Sequence, residues 1–329
     1  MLMFIGLPII SSFFQSLHIE PEQILMEVEK CDPFGCKTET KVDIEATNKL
    51  QEEQPLGRFN GLGTYGDRNH LAFDEIKEAW TNSSSIAEFT DILLNLPFYK
   101  ALLFTLTFCF AVTPPVVVLG FIVALSVNTI TKSLKGPTIF GVILPMIVTP
   151  LIGSLVLFWM IDAKGILGSF IQFLFDDPNL SLKSSSQLTW ITLIIYGIWH
   201  NTPFAFVVFY AALQTVPQDP IEAAIIDGAS RYERVRHIVI PHLYPVATFI
   251  ILICLMDNFR VLEPIIGFAA EGVAQSLSWM IYNDLRSENK MLFGSAGATS
   301  MLTIIGVAIL LTPVPVSYTH LTLPTNREV

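Results

Sequence analysis

Long runs of apolar residues separated by shorter polar segments are the main pattern in this chain. An α-helix needs about 20 apolar residues to cross a hydrocarbon core of about 30 Å. Six runs reach or approach that length, and they cover residues 1–17, 101–127, 139–161, 188–213, 243–262 and 291–313. The pattern predicts an all-α integral membrane protein with about six transmembrane helices. In the last run, Gly294, Gly297 and Ala298 are small enough to let another helix pack closely.

The polar segment after the first run is strongly acidic. Residues 20–91 hold 16 of the 29 acidic side chains and only 7 of the 19 basic ones. The rest of the chain is nearly neutral, so the charge belongs to one extramembrane insert. A protein that binds nucleic acid would present a basic face instead, and we therefore expect no nucleic-acid partner.

The four cysteines fall into two groups. Cys109 and Cys254 lie within apolar runs, where small buried residues are expected. Cys31 and Cys36 flank an Asp-Pro-Phe-Gly segment in the acidic insert, where a turn would bring them together. A disulfide is expected there if the insert faces an oxidising compartment. A metal site is the alternative, but no histidine or second cysteine pair accompanies these two residues.

The pattern divides the chain into four regions. Residues 1–19 are expected to form a first transmembrane span whose beginning is truncated, because no small-residue cleavage site for a signal peptide follows them. The acidic insert occupies residues 20–96. Residues 97–313 form the transmembrane core, which includes a polar loop at 214–241. Residues 314–329 are polar and β-prone, and we expect them to be foreign sequence without a function.

Loop charges indicate the orientation of the spans. Lys and Arg are denser in the loops at 129–137 and 214–241 than in those at 162–187 and 263–290. Because cytoplasmic loops carry an excess of these residues, the first two loops are placed in the cytoplasm. The acidic insert after the first span then lies in the periplasm.

The loop at 214–241 is more structured than a connector needs to be. Asp219 is placed to cap a first short helix. Gly228 permits a sharp turn with a backbone conformation that other residues adopt at a cost. A second helix is expected over 231–239, ending before Pro241. The loop should therefore present two short helices with a bend between them.

A longer motif runs through this loop. It consists of Glu-Ala-Ala, three residues, Gly, nine residues, Ile, one residue and then Ile-Pro, and its fixed positions are Glu222, Ala223, Ala224, Gly228, Ile238 and Pro241. The motif resembles the signature of the permease subunits of binding-protein-dependent ABC importers, and it departs from that signature only at Ile240, where Leu is usual. Asp227 beside the glycine, and Phe-Asn-Gly-Leu at 59–62, look like the carbohydrate branch (maltose and glycerol-phosphate type) of this MetI-like family.

The resemblance implies a mechanical role for the loop. In this family it is a coupling helix seated in a cleft of a separate ATPase, and the residues that match are Glu222, Ala223, Ala224, Asp227, Gly228, Ile238 and Pro241. The implied function is the passage of a carbohydrate or related polyol across the bacterial inner membrane by alternating access. The implied partners are a cytoplasmic ABC ATPase dimer, a second permease of different sequence, a periplasmic substrate-binding protein and membrane lipid.

ATP chemistry is expected on another chain. No Gly-x-x-x-x-Gly-Lys-Ser/Thr loop occurs in this sequence, and that loop is what cradles nucleotide phosphates in such ATPases. ATP-Mg is therefore expected on the partner ATPase. For this chain we expect no cofactor, no metal and no enzymatic activity of its own.

Polar side chains within the predicted spans are costly in lipid and are therefore candidates for substrate contacts. The candidates are His200, Asn201, Asp257, Asn258 and Arg260. Counted from the loop motif, His200, Asn201, Asp257 and Asn258 fall near the sugar contacts of the maltose-type members that the chain resembles. The structural alternative is that Asp257 and Arg260 form an ion pair that holds helices together. His200 would then make its hydrogen bonds to other protein groups and have no role in binding.

The spacing of these residues adds a geometric expectation. Asp257, Arg260 and Glu263 recur every three residues, which predicts that they share one helix face. Trp199 or Phe204 would supply a surface on which a sugar ring could stack. Together they would offer a sugar both hydrogen-bonding groups and an aromatic wall.

Two other functions were weighed from the residues. An ion-coupled secondary transporter would use His200 and Asp257 as a relay, but it predicts inverted repeats, and none is visible. A membrane enzyme would need a motif such as His-Glu-x-x-His or Gly-x-Ser-x-Gly, and neither occurs. Only the importer permease also explains the motif in the 214–241 loop.

Overall fold

The computed structural model describes residues 2–19, 24–32, 35–54, 56–177, 180–183, 185–286 and 292–313. The chain divides into two compact units, Met1–Phe104 with Gln275–Gly306 and Thr105–Ala274 with Val307–Val329. The segment at 314–329, predicted to be foreign sequence, lies outside the described residues.

Helices make up most of the described chain. Up to residue 95 the elements are α1 Leu2–Ser16, β1 His18–Ile19, β2 Leu25–Asp32, β3 Gly35–Val42, α2 Ile44–Glu53, β4 Arg58–Phe59, α3 Gly63–Gly66, α4 Phe73–Asn82 and α5 Ile86–Asn95. The later elements are α6 Pro97–Thr129, α7 Lys132–Ile147, α8 Pro150–Met160, α9 Ile166–Phe175, α10 Ser186–Leu213, α11 Gln218–Ile226, α12 Arg231–Arg234, a π-helical turn Val235–Val239, α13 Ile240–Phe259, α14 Glu263–Gly267, α15 Leu277–Arg286 and α16 Phe293–Leu311.

Several helices are long and apolar enough to cross a membrane. In the described part of the chain there are four of them, α6, α10, the continuous helix Arg231–Phe259 and α16, and a fifth if α7 and α8 count as one broken span. Helix α1 has 15 residues, fewer than the roughly 20 that a full crossing needs. The helical membrane fold is confirmed, whereas the count of six spans is not.

The predicted continuous span at 139–161 is wrong, because the chain bends by 94° between α7 and α8. Val148 and Thr149 are extended at the bend, with ψ angles of 126° and 143°. Thr149 precedes Pro150, and the proline ring disfavours a helical conformation in the residue before it. Pro150 itself suits the first turn of α8, where its missing N–H costs nothing. Both halves are apolar, so hydropathy alone did not reveal the bend.

The acidic insert contains strands, which the all-α expectation did not include. Strand β1 pairs with β4, and β2 pairs with β3 in an antiparallel hairpin. The hairpin register places Cys31 opposite Cys36 along the backbone. The side chains of both cysteines lie outside the described residues, so the disulfide stays a prediction. Cys109 and Cys254, in the second unit, are buried and free as expected.

In the first unit, the small residues of α16 pack against α1. A Cβ atom added to Gly294 would collide with the backbone carbonyl oxygen of His18, and one added to Gly297 would lie 2.8 Å from the carbonyl oxygen of Ser12. Backbone atoms cannot move aside as a flexible side chain can. The close approach predicted from the small residues therefore occurs, and it depends on the absence of side chains at both glycines.

We expect Gly294→Ala to lower the thermal unfolding midpoint of the purified protein by several degrees, because the added methyl group collides with backbone. Gly6→Ala in α1 is the matched control, since nothing lies within 4 Å of its added Cβ. That substitution should leave the midpoint unchanged or slightly higher, because Ala favours a helix over Gly by about 1 kcal/mol. Equal midpoints for the two variants would show that the α1–α16 contact contributes little.

In the second unit, close helix contacts bring polar residues of α10 near α6 and α8. A Cβ on Gly197 would lie 2.7 Å from the ring of Phe108, so only glycine allows α6 and α10 to approach this closely. On the side of α8, the Tyr196 hydroxyl donates a hydrogen bond of 2.8 Å to the Pro150 carbonyl oxygen. These contacts fix the part of α10 that carries His200 and Asn201.

Candidate functional site

The first candidate site is the loop at 214–241, which begins with α11. At its C-terminus, the Gly228 N–H donates to the Ile225 carbonyl oxygen (3.1 Å) and the Ala229 N–H to that of Ala224 (2.9 Å). This pair of bonds is a Schellman motif, which requires a left-handed residue at the glycine position. Gly228 has φ = +79°, so the expected turn is present at this residue.

The start of α11 differs from the sequence prediction. The helix begins at Gln218, with Pro217 at the N-cap position and no side-chain cap. Asp219 was expected to be the cap but lies inside the first turn. Proline is well suited to the start of a helix because its missing N–H would have no partner there. The helix therefore begins earlier in the chain than predicted.

A capping box opens the second helix of the loop, α12. Ser230 Oγ accepts from the Glu233 N–H (3.3 Å), and Glu233 Oε2 accepts from the Ser230 N–H (2.7 Å). The two side chains thereby satisfy each other's backbone donors. Neither residue was singled out from the sequence, although Ser-x-x-Glu is the pattern that signals such a box.

The predicted end of this helix before Pro241 is wrong, because the helix continues through Pro241 into α13. The Ile240 N–H bonds the carbonyl oxygen of Val235, five residues earlier, in the π-helical turn. Proline in a regular helix lacks a donor and its ring strikes the carbonyl four residues back. A π turn widens the helix just before Pro241, and it accommodates the proline without ending the helix.

Most of the motif residues lie at the surface of the second unit. Glu222, Ala223, Asp227, Gly228 and Pro241 are exposed, whereas Ala224 and Ile238 are half-buried. Two apolar side chains that the prediction did not include are also strongly exposed. Ile226 is 86% exposed and Tyr232 is 68% exposed. Adjacent isoleucines in an otherwise polar loop were the sequence signal for this surface.

The second candidate site is a cavity of about 390 Å³ in the second unit, which we call the polar cavity. All five residues predicted for the substrate pathway line it: His200, Asn201, Asp257, Asn258 and Arg260. Tyr196 and Glu263 add further polar atoms to the lining, and Phe108 adds an aromatic wall. Its volume falls within the range of about 300–1,000 Å³ typical of ligand pockets.

A chain of hydrogen bonds holds two of these amides. Asn201 Nδ2 donates to Asn258 Oδ1 at 3.1 Å, and Asn258 Nδ2 donates to Thr113 Oγ1 at 3.1 Å. Thr113 and Asn258 are both buried. These two hydrogen bonds therefore anchor the half-buried Asn201 to the interior of the unit. Thr113 lies in an apolar run next to two prolines, and nothing in the sequence distinguished it from other buried threonines.

The charged residues of the cavity are arranged differently from the prediction. Arg260 Nη2 lies 2.7 Å from Asp257 Oδ1, and both side chains are more than half exposed. Asp257 lies in the last turn of α13 and Arg260 is its C-cap residue, so this ion pair lies at the end of one helix and does not join two. Glu263 belongs to the separate helix α14, so the expected single helix face of three charges is wrong. All three residues nevertheless line the same cavity.

An aromatic wall lies beside His200. The His200 ring stacks on Tyr196, with centroids 5.8 Å apart and an angle of 12°. The buried Nδ1 atom of His200 has no hydrogen-bond partner. Trp199 and Phe204, expected as stacking surfaces, do not line the cavity, whereas Tyr196 and Phe108 do. Helical spacing explains the result for Trp199, which is adjacent to His200, whereas Tyr196 lies four residues before His200 and shares its face. Spacing does not explain Phe204, which lies four residues after His200.

Curated relatives of this chain are transport permeases. The trehalose/maltose transport system permease protein MalF of Thermococcus litoralis is 32% identical over 137 residues, which cover 38% of this chain and 45% of that protein. The sn-glycerol-3-phosphate transport system permease protein UgpA of Shigella flexneri is 28% identical over 178 residues, covering 54% and 60%. The chain thus spans about half the length of these relatives.

A solved structure shares the fold. A chain of the bacterial alginate ABC transporter, crystallised in complex with an alginate pentasaccharide-bound periplasmic protein, superposes with a TM-score of 0.56 at 16% identity. The match covers 73% of this chain and 84% of that one. At this identity the likeness shows the fold alone.

The family model described as "Binding-protein-dependent transport system inner membrane component" matches residues 93–322, which is more than half of the chain. The match includes the 214–241 loop with its motif and every residue that lines the polar cavity. With several apolar helices in the same region, the chain is a multi-pass inner-membrane protein. It belongs to the family of binding-protein-dependent transport system inner membrane components.

Proposed function

We propose that this chain is a permease subunit of an ATP-binding-cassette importer. It passes a carbohydrate or related polyol, delivered by a periplasmic binding protein, across the inner membrane by alternating access. The observation that carries this proposal is the exposed, preorganised loop at 214–241, in which a Schellman motif at Gly228 ends the short helix α11 and a capping box at Ser230 starts the continuous helix Arg231–Phe259. A loop that only connected two spans would not need either device.

The loop transmits motion from a separate ATPase dimer that holds ATP-Mg. Its exposed apolar tip, formed by Ile226 and Tyr232, inserts into a cleft of the ATPase, and the motif residues shape the helix behind the tip. Covering exposed apolar side chains of this kind with a partner removes them from water, which stabilises the complex. ATP shifts the importer between states because the closed ATPase dimer binds it more tightly than the open one.

The polar cavity is the substrate pathway in this proposal. His200, Asn201, Asp257, Asn258 and Arg260 provide donors and acceptors, and the buried Tyr196 ring supports His200 by stacking on it. Three exposed charged residues line the cavity, and in this proposal a second permease closes it from the open side. The names of MalF and UgpA support a polyhydroxylated substrate, and the acidic insert at 20–96 lies on the periplasmic side.

Replacing Ile226 tests the proposal directly. We expect Ile226→Asp to remove the ATPase from affinity-purified complexes, because a carboxylate on the tip cannot enter an apolar cleft without losing its hydration. Ile86→Asp is the matched control, since Ile86 begins α5 in the insert and is 78% exposed. That variant should retain the ATPase at the wild-type level. The measurement is the ATPase-to-permease ratio after purification from membranes, by quantitative mass spectrometry.

If no ATPase accompanies wild-type protein, the importer function is wrong. Retention of the ATPase by Ile226→Asp at the wild-type ratio would place the contact elsewhere on the chain. An equal loss in Ile226→Asp and Ile86→Asp would mean that a new exposed carboxylate disturbs the protein generally, and the docking role of the tip would then be unsupported.

A further inference from the structure

We propose that the polar cavity selects an uncharged carbohydrate and disfavours anionic solutes such as phosphorylated polyols and uronates. The inference rests on the proposed function, since it assumes that substrate passes through this cavity. It concerns the sign of the charge on the substrate, which the family does not fix. Three features of the lining carry it: a cation that is already paired, a carboxylate without an ion-pair partner, and neutral groups suited to hydroxyls.

The only Lys or Arg side chain among the cavity's lining residues is Arg260. Its guanidinium is bonded at 2.7 Å to the Asp257 carboxylate, so its positive charge is balanced within the same turn of the chain. An incoming phosphate or carboxylate would have to displace Asp257 or approach it, and like charges at short range repel. The cavity therefore lacks the free cation that sites for anions generally provide.

Glu263 makes the lining acidic. Its side chain is exposed to the cavity, and the described residues include no ion pair to its carboxylate. With Asp257 and Arg260 balanced, Glu263 leaves one negative charge among the acidic and basic side chains of the lining. A cleft lined by one sign of charge concentrates solutes of the opposite sign and excludes those of the same sign.

The neutral lining groups suit hydroxyls. Asn201 is held by Asn258 through one amide N–H, which leaves the Asn201 carbonyl oxygen and its second N–H for a ligand. The Tyr196 ring is buried and stacks on the half-buried His200 ring, so it holds that polar ring against the cavity. A carboxylate such as that of Glu263 accepts hydrogen bonds from hydroxyls, which an anionic group without protons cannot donate. An uncharged polyhydroxylated ring satisfies all of these groups.

The test measures the charge preference of the cavity without knowledge of the natural substrate. A cysteine is introduced by His200→Cys in the purified complex, and its modification rate is measured at pH 8 and low salt. The probes are three methanethiosulfonates of similar size: cationic (trimethylammonium)ethyl, neutral hydroxyethyl and anionic sulfonatoethyl. Each rate is divided by the rate of the same reagent with free 2-mercaptoethanol, and the parent protein without the new cysteine provides the background.

We expect the normalised rate of the cationic reagent to exceed that of the anionic one by about tenfold or more, in line with the effect of charged clefts on encounter rates. Glu263→Gln should lower this ratio severalfold, whereas Arg260→Gln should raise it because Asp257 is then unbalanced. Asp176→Asn is the matched control: it removes one carboxylate from an exposed residue outside the cavity lining. Asparagine also tolerates the left-handed conformation at this position (φ = +51°). The control should leave the ratio unchanged.

A ratio near one in the His200→Cys protein, or a ratio that Glu263→Gln does not change, overturns the proposed selectivity. Equal reduction by Asp176→Asn also overturns it, because the preference would then reflect the net charge of the whole protein. No modification by any reagent would show that the cavity is closed to solutes, which contradicts the substrate pathway itself. Failure of the importer function is separate, since it is detected by the loss of the ATPase from wild-type protein.

Discussion

Gly228→Val is expected to reduce the ATPase recovered with the permease, and the substrate-stimulated ATP hydrolysis of the complex, by tenfold or more. The physical reason is the backbone at this residue, where φ is +79°. For a residue other than Gly, this left-handed conformation is less stable than the right-handed one by about 1–2 kcal/mol. A β-branched residue adopts it least readily. Each 1.4 kcal/mol lowers a population tenfold, so the docking-competent loop becomes a minor state.

The matched variant for this experiment is Gly228→Asn. Asparagine adopts the left-handed conformation more readily than other side chains, so it should retain most of the coupling although it is larger than glycine. Steric collision within the chain does not explain a difference, because nothing lies within 4 Å of a Cβ added to Gly228. Equal losses with Val and Asn would show that the partner's cleft excludes any side chain there. No loss with either would show that the turn is not required.

The 214–241 loop shows how far sequence reasoning reached. The motif located the loop, and Gly228 was predicted to adopt an unusual backbone conformation, which the structure has. Two helix boundaries were predicted wrongly. The first helix begins at Gln218 after Pro217, before the predicted cap Asp219. The second helix does not end before Pro241, where the proline was taken as a boundary from its general tendency, because the π-turn hydrogen bond carries the helix past it. Such hydrogen bonds depend on which backbone carbonyl each N–H reaches. The types of residue in the segment do not determine that choice of partner.

The polar cavity shows the complementary limit. Its five predicted residues were chosen because polar side chains are costly in lipid, and the structure brings all five together, although their role stays a proposal. The same rule overlooked Thr113 and Tyr196, because a single hydroxyl in an apolar run has no distinctive cost when its own helix can satisfy it. Only the three-dimensional packing shows that the Thr113 hydroxyl accepts a bond from another helix.

The hydrogen-bond chain behind Asn201 leads to a second prediction of large effect. Thr113→Val preserves the shape of a side chain that is 4% exposed but removes the acceptor for Asn258 Nδ2. A buried donor left without a partner costs about 1–3 kcal/mol. We therefore expect a lower thermal midpoint, by about 2–4 °C for each kcal/mol lost in a domain of roughly 150–250 residues. The substrate concentration for half-maximal transport should also rise, since Asn201 is no longer held in place.

Three further variants separate positioning from general damage. Thr113→Ser restores the hydroxyl and should recover both measurements. Thr248→Val is the matched control, because Thr248 is 6% exposed but its hydroxyl donates only to the Tyr244 carbonyl oxygen of its own helix, so its loss leaves no unpaired donor. Adding Asn258→Leu to Thr113→Val removes the orphaned amide and should recover stability but not transport affinity, because Asn201 still lacks its partner. If Thr113→Val behaves like Thr248→Val in both measurements, the amide chain does not position Asn201, and Asn258 serves packing alone.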